Sequence, residues 1–211
     1  MKSSVLATAA LLALGTAVSA HAQSLPITGG LTSVTLTAAP TLTAAGLSVG
    51  PLGSALVSPG SAGIPIAFFP ITGGSIDTVT FAGSILHAGS GLSLASASAA
   101  VNLTNFVINT TSGVLSGDVA VGGSALGVVP LFDIGSSGVA TSPFSLALTS
   151  AAAGALSTVF GIPNLTGTVI GTANTIPITS AVPEPATVAS MLAGLALMGG
   201  LIGRRRAAIR R

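Results

Sequence analysis

From Gln23 to Val182 short runs of alternating apolar and Thr, Ser or Asn residues follow one another, broken by Gly and Pro, with no block of charge anywhere between them. Period-two alternation bounded by turn residues is the pattern of half-buried strands. Ser75 to Phe81 places Ile76, Val79 and Phe81 among Thr78 and Thr80. Ala100 to Thr110 reads Val101, Leu103, Phe106, Ile108, with Asn102, Thr104 and Asn109 between. Val114 to Val121 is followed by Gly122-Gly123 and then Ser124 to Ile134. A Gly-Gly pair between two apolar runs predicts a two-residue hairpin turn, because both positions need positive φ. In the second run Leu126, Val128, Phe132 and Ile134 fall on one face. Phe144, Leu146 and Leu148 form a further run, and Gly167 to Ala173 the last.

One stretch breaks the pattern. Ala152, Ala155, Leu156, Val159 and Phe160 recur at helical spacing, with Ser150 as the expected N-cap, Gly161 as the stop and Pro163 beyond it. The expected fold is mainly β, an antiparallel sandwich or open barrel with one short helix; a parallel β-helix is the alternative, but no regular short period supports it. Residues 38–63, rich in Ala, Pro, Gly and Ser, are expected to be a loosely ordered loop or linker. Pro26-Ile27-Thr28-Gly29-Gly30 recurs as Pro70-Ile71-Thr72-Gly73-Gly74, each copy leading into a β-like run.

The 211 residues suffice for one such domain, and the charge sits outside it. Of the six basic residues, Lys2 precedes it and Arg204, Arg205, Arg206, Arg210 and Arg211 follow it. Residues 23–182 hold three acids, Asp77, Asp118 and Asp133, and no Lys or Arg. Nucleic-acid binding needs clustered cations, so the pI of about 10.6 says nothing for it, and no nucleic-acid partner is expected. The absence of Cys excludes a disulfide scaffold, a Cys-ligated metal and a thiol nucleophile.

Both flanks read as targeting signals. Lys2, the apolar run Val5 to Val18 and the small residues of Ala20-His21-Ala22 make residues 1–22 a secretory signal, cleaved before Gln23 after passage through the Sec translocon. At the other flank come Val182-Pro183-Glu184-Pro185, an uncharged apolar stretch over 186–203, and the Arg cluster. A helix of that length spans about 27 Å, enough to cross a thin hydrocarbon core. Arginines beyond it stay on the cytoplasmic side, which leaves residues 23–182 outside the inner membrane. The two signals predict the same topology.

This ordered trio, Pro183-Glu184-Pro185, the 186–203 stretch and Arg204-Arg205-Arg206, resembles the PEP-CTERM sorting signal of Gram-negative bacteria. The resemblance implies recognition and processing by an exosortase. It also implies an inner-membrane stage held by the 186–203 helix, with the arginines stopping transfer. The prolines keep the junction extended, as a processing enzyme binds it. A plain single-span anchor with a Pro-rich stalk is the alternative. Leu25-Pro26-Ile27-Thr28-Gly29 fits a sortase pattern, but no span and basic tail follow it there; a GPI signal fails because the chain ends in arginines.

A second resemblance covers Gly74 to Asp133. Ile85-Leu86-His87-Ala88-Gly89, Leu103 to Ile108, Leu115-Ser116-Gly117-Asp118-Val119 and Val129-Pro130-Leu131-Phe132-Asp133 are similar to β-rich domains of anchored surface proteins, distantly to HtaA-type modules. Some of those bind haem through Tyr and His. This chain has no Tyr, and His87 is the one His of residues 23–182.

Candidate chemistry is sparse. His87 with Asp77, Asp118 or Asp133 could form a Ser–His–Asp triad, but residues 23–182 hold no Lys for an S-x-x-K nucleophile. The three Asp are not spaced as a calcium loop. Asn102, Asn109 and Asn164 fit the glycosylation sequon and are read as strand-surface residues. No cofactor, metal site or enzymatic activity is expected. The expectation is an exported surface or matrix protein, associated with exopolysaccharide; the alternative is a surface ligand-binding module using His87.

Overall fold

The computed structural model describes residues 24–180, together with positions 192, 194 and 195, which are helical. Ala20, Ala22 and Gln23 of the expected signal lie outside the described residues. So do Val182 to Pro185, Arg204 to Arg206 and all but three positions of the 186–203 stretch. Among the described residues no helix is long and apolar enough to cross a membrane.

Eleven strands and two α-helices follow one another in order. They are β1 (Ser24–Thr35), α1 (Ala39–Ala44), β2 (Ser48–Gly53), β3 (Leu56–Ser58), β4 (Ile66–Pro70), β5 (Gly73–Asp77), β6 (Gly83–Ala95), β7 (Ala100–Asn109), β8 (Val114–Val121), β9 (Ser124–Ser136), β10 (Phe144–Leu148), α2 (Ser150–Phe160) and β11 (Val169–Thr179). A 3₁₀ turn over Ser61–Gly63 joins β3 to β4. All strand pairings are antiparallel.

The sheet closes on itself. From β5 to β11 each strand pairs with the next strand, and β11 returns to β1 with Leu31 opposite Ile176 and Val34 opposite Ala173. The ring is uneven because two strands share their edges. One edge of β1 serves β5 at 24–26 and β4 at 31–35, and one edge of β6 serves β5 at 83–86 and β2 at 90–95. A closed ring has few unpaired edges, which suits a chain with almost no charge to protect them.

Residues 38–63 are not a loose loop. α1 starts at Ala39 with Pro40 in its first turn, where a missing N–H is harmless, and it buries Ala39 and Leu42. β2 then pairs with β6 from Ser48 opposite Ala95 to Gly53 opposite Ser90. Pro51 is accommodated because β2 is an edge strand.

Apolar side chains from most of the strands meet inside the ring. Ile85, Val101, Leu103, Phe106, Leu131 and Leu146 belong to one buried cluster. All of that cluster lies in the compact unit Ala22–Ser180, which therefore contains its whole core. Along β7 the buried parity switches, from Val101 and Leu103 to Phe106 and Ile108. The switch is a β-bulge at Asn105, whose φ is 53°. Asn tolerates that left-handed region, and its amide is used there: Oδ1 accepts from Gly89 N–H at 2.8 Å and Nδ2 donates to Asp118 Oδ2 at 2.8 Å.

Three local expectations need correction. The strand expected over Ser75 to Phe81 stops at Asp77, whose Oδ1 accepts from the N–H groups of Thr80 (2.7 Å) and Val79 (2.9 Å). Those two bonds, Thr80 first, hold the Asp77 carboxyl below its ordinary range. The turn leaves Val79 and Phe81 exposed. On β9 the shared parity of Leu126, Val128, Phe132 and Ile134 does not mark the core face. Leu126 and Val128 are exposed and Leu131 is the buried residue, because the β8–β9 register shifts twice. The cap of α2 is Thr149 rather than Ser150; Thr149 Oγ1 accepts from Ala152 N–H at 3.1 Å and donates to Pro130 O at 2.7 Å. Gly161 ends α2 in the left-handed region, as the sequence predicts, and Gly122 and Gly123 both have positive φ in the β8–β9 turn.

The repeated pentapeptide is one backbone device used twice. Ile27 and Ile71 are both buried. Thr28 Oγ1 donates to Ile178 O and Thr72 Oγ1 to Leu86 O, at 3.2 and 3.1 Å. Gly29-Gly30 faces Ile178-Pro177 just as Gly73-Gly74 faces Leu86-Ile85. The second glycine of each copy has positive φ, 129° at Gly30 and 116° at Gly74.

Candidate functional site

The inside of the ring holds the only buried titratable side chain among the described residues, His87. It stands on β6 opposite Phe106 of β7, just before the Gly89 bulge that accommodates the Asn105 kink. That bulge turns the backbone so that His87, Ser90 and Phe106 all face inward. His87 is 2% exposed. Nε2 lies 2.8 Å from Thr32 Oγ1, and Thr32 in turn bonds Thr175 Oγ1 at 3.2 Å across the β1–β11 seam. Ser90 Oγ donates to the His87 carbonyl at 3.0 Å. Phe69 meets the imidazole edge-on at 6.4 Å between centroids and meets Phe106 edge-on at 5.3 Å.

This setting keeps the ring neutral. Burial among apolar groups lowers the His87 pKa from 6.5 to about 4; the Phe106 backbone opposes the shift without reaching hydrogen-bond geometry. Nδ1 is buried and has no hydrogen-bond partner.

The three aspartates do not join His87. Asp77 closes the β5–β6 turn, Asp118 is held by Asn105, and Asp133 lies on β9. Among the described residues no three His, Cys, Asp or Glu side chains come together as a metal site. The sequence points to His87 but not to its partner Thr32 or to Thr175, which bonds Thr32 from 143 residues away across the closed ring. It also missed the role of Asn105, although the parity switch between Leu103 and Phe106 is visible in the sequence.

Beside His87 the interior is not filled. An inner lobe of about 50 Å³ touches His87, Phe69, Ile108 and Leu146. An outer lobe of about 100 Å³ lies under α2, against Leu42, Val121, Leu126, Leu156 and Val159. The two lobes share Leu36, Leu92, Phe106, Phe132 and Ile170 as walls. β10 pairs with β9 over residues 132–136, and α2, which begins just after β10, packs against β9 and lines the outer lobe.

Comparison with known proteins agrees with the sequence on two counts. Residues 181–206 match the PEP-CTERM protein-sorting motif. The motif marks an exported protein, anchored to the membrane through its C-terminal region and recognised by an exosortase. The fold resembles the C-terminal domain of HtaA from Corynebacterium glutamicum, with a TM-score of 0.50 and 18% identity, over 71% of this chain and 95% of that one. At that identity the likeness is one of fold. No curated protein matches the sequence.

Proposed function

We propose that the chain is a non-enzymatic protein of the cell surface or extracellular matrix. A signal at residues 1–22 exports it through the Sec translocon, signal peptidase cuts before Gln23, and the inner membrane holds it by residues 186–203. An exosortase then processes the junction at Val182-Pro183-Glu184-Pro185, with Arg204, Arg205 and Arg206 as the stop-transfer cluster. The matched sorting motif carries this reading. The delivered unit suits adhesion to exopolysaccharide, since its strands interleave Thr, Ser and Asn with apolar residues and hold no cation to bind polyanions. Intact mass of the extracellular protein tests the processing step. The expected species begins at Gln23 and lacks Arg204 to Arg211; a released species that still carries those arginines overturns it.

The likeness in fold to the HtaA domain supports a second reading, a surface module that binds a small ligand such as haem while a single transmembrane segment retains it. His87 is then the candidate ligand, but Thr32 occupies Nε2 and Nδ1 is enclosed, so coordination requires the sheet to open. Titration of residues 23–182 with haem decides it. A Soret shift that His87→Ala abolishes supports the reading, and no shift ends it.

A further inference from the structure

We infer that the interior of the ring is a binding channel for one unbranched alkyl chain, entered beneath α2, with the head group of the amphiphile left outside. This goes beyond the sorting role, and it deepens the ligand-module reading by naming the chemistry of the ligand without using haem or a metal.

The first support is the chemistry of the wall. The residues around both lobes are Leu, Val, Ile, Phe and Ala, apart from Gly171 and from Thr32 and His87, which bond each other. A charged or strongly polar guest would lose its hydration there without replacement. Apolar space of this kind stays dry, and a guest that fills it gains burial and dispersion contacts at once. Taken together the lobes are comparable in size to the engineered cavity of about 150 Å³ that takes up benzene. Well-packed interiors rarely leave that much room.

The second support is shape. The lobes are neighbours with Leu36, Leu92, Phe106, Phe132 and Ile170 as common walls, so a guest that reaches both when those side chains part must be extended, as a chain is and a ring is not. The third is the doorway. Leu126 lines the outer lobe yet is 58% exposed, and Leu156 and Val159 of α2 face the same lobe while remaining half-buried. The start of α2 is anchored by Ala152 and Ala153 in the core, while Ala155, Leu156 and Val159 of the same helix also line the outer lobe. Between Gly161 and Gly167 the chain leaves α2 through a short loop, and the firmest hold on the helix is at its start, where Thr149 caps it and Ala152 and Ala153 are buried. A helix held in this way is a suitable door.

A homologous series of 1-alkanols from butanol to decanol, titrated into residues 23–182 and followed by the methyl resonances of Leu131, Ile108 and Leu156, tests the inference. Each added methylene should tighten binding about fourfold until the channel is full, after which the gain should stop. The Leu156 methyls should respond to every member and Ile108 only to the longer ones. Lysophosphatidylcholine of the same chain length should bind within about tenfold of the alkanol, because its head stays outside. Ala155→Trp, on the α2 face of the outer lobe, should abolish binding while leaving the fold intact by circular dichroism. Absence of any chain-length dependence in the unaltered protein overturns the channel, as does full binding by a folded Ala155→Trp. A missing Soret shift with a normal alkanol series defeats only haem binding; the reverse result defeats only the alkyl channel.

Discussion

Gly74→Ala is expected to lower the unfolding free energy of residues 23–182 by roughly 3–5 kcal/mol, and Gly73→Ala by less than about 1 kcal/mol. The two glycines are neighbours in one strand, so composition and propensity are matched. Their surroundings differ. A Cβ on Gly74 would run into the carbonyl oxygen of Ser84 on β6, and the residue has a φ of 116° that L side chains rarely adopt. A Cβ on Gly73 would meet only the end of Leu86 at 4.0 Å. Backbone cannot step aside as a side-chain tip can, so the first substitution must break the β5–β6 pairing or displace it. The first copy of the pentapeptide supplies the same contrast. Gly30, at φ 129°, is blocked by the carbonyl of Ile176, whereas Gly29 has open space. Gly30→Ala should therefore match Gly74→Ala, and Gly29→Ala should match Gly73→Ala. Urea midpoints of the four variants check this; equal effects within either pair would show that the repeated pentapeptide is not a structural unit.

That repeat is a fair measure of what the sequence discloses. Its existence is plain in the letters, but its meaning is not, because the atoms that demand the second glycine belong to strands over 140 residues away in one copy and only about ten in the other. Alternation likewise announces strands, and the Gly122-Gly123 turn and the Gly161 stop are local chemistry that the backbone reports faithfully. Parity fails where register slips. Leu126 and Val128 share a parity with Phe132 and Ile134, but the bulges between β8 and β9 send them to solvent and bring Leu131 inward. Residues 38–63 look like linker because Ala, Pro, Gly and Ser have little strand propensity; β2 forms because β6 offers an unpaired edge from Ser90 to Ala95. For the candidate site the same division holds. His87 stands out as a lone imidazole, but its burial depends on ring closure between β1 and β11, which no local pattern encodes.

Between pH 6.5 and about 4 the unit should lose stability as acid is added, by up to about 3 kcal/mol, chiefly because of His87. In the folded protein the imidazole stays neutral until about pH 4, whereas in the unfolded chain it takes up a proton near its ordinary 6.5. Across that window the unfolded state binds more protons, so the unfolding free energy rises with pH, approaching about 1.4 kcal/mol per unit in mid-window. The stability is fully present above pH 6.5 and is lost as pH falls through the window. No charge faces the ring: Thr32, Phe69, Ser90 and Phe106 surround it, and Asp77, whose carboxyl the turn holds below its ordinary range, adds to the slope only at the acid end of the window. The acid slope is thus separable from that of Asp77. His87→Gln keeps a hydrogen-bonding group near Thr32 but has no proton to gain, so its unfolding free energy should be nearly flat from pH 7 to 4.5. Urea titrations of both proteins at half-unit steps measure the slopes. If the unaltered protein is as flat as His87→Gln, the imidazole is not enclosed as described.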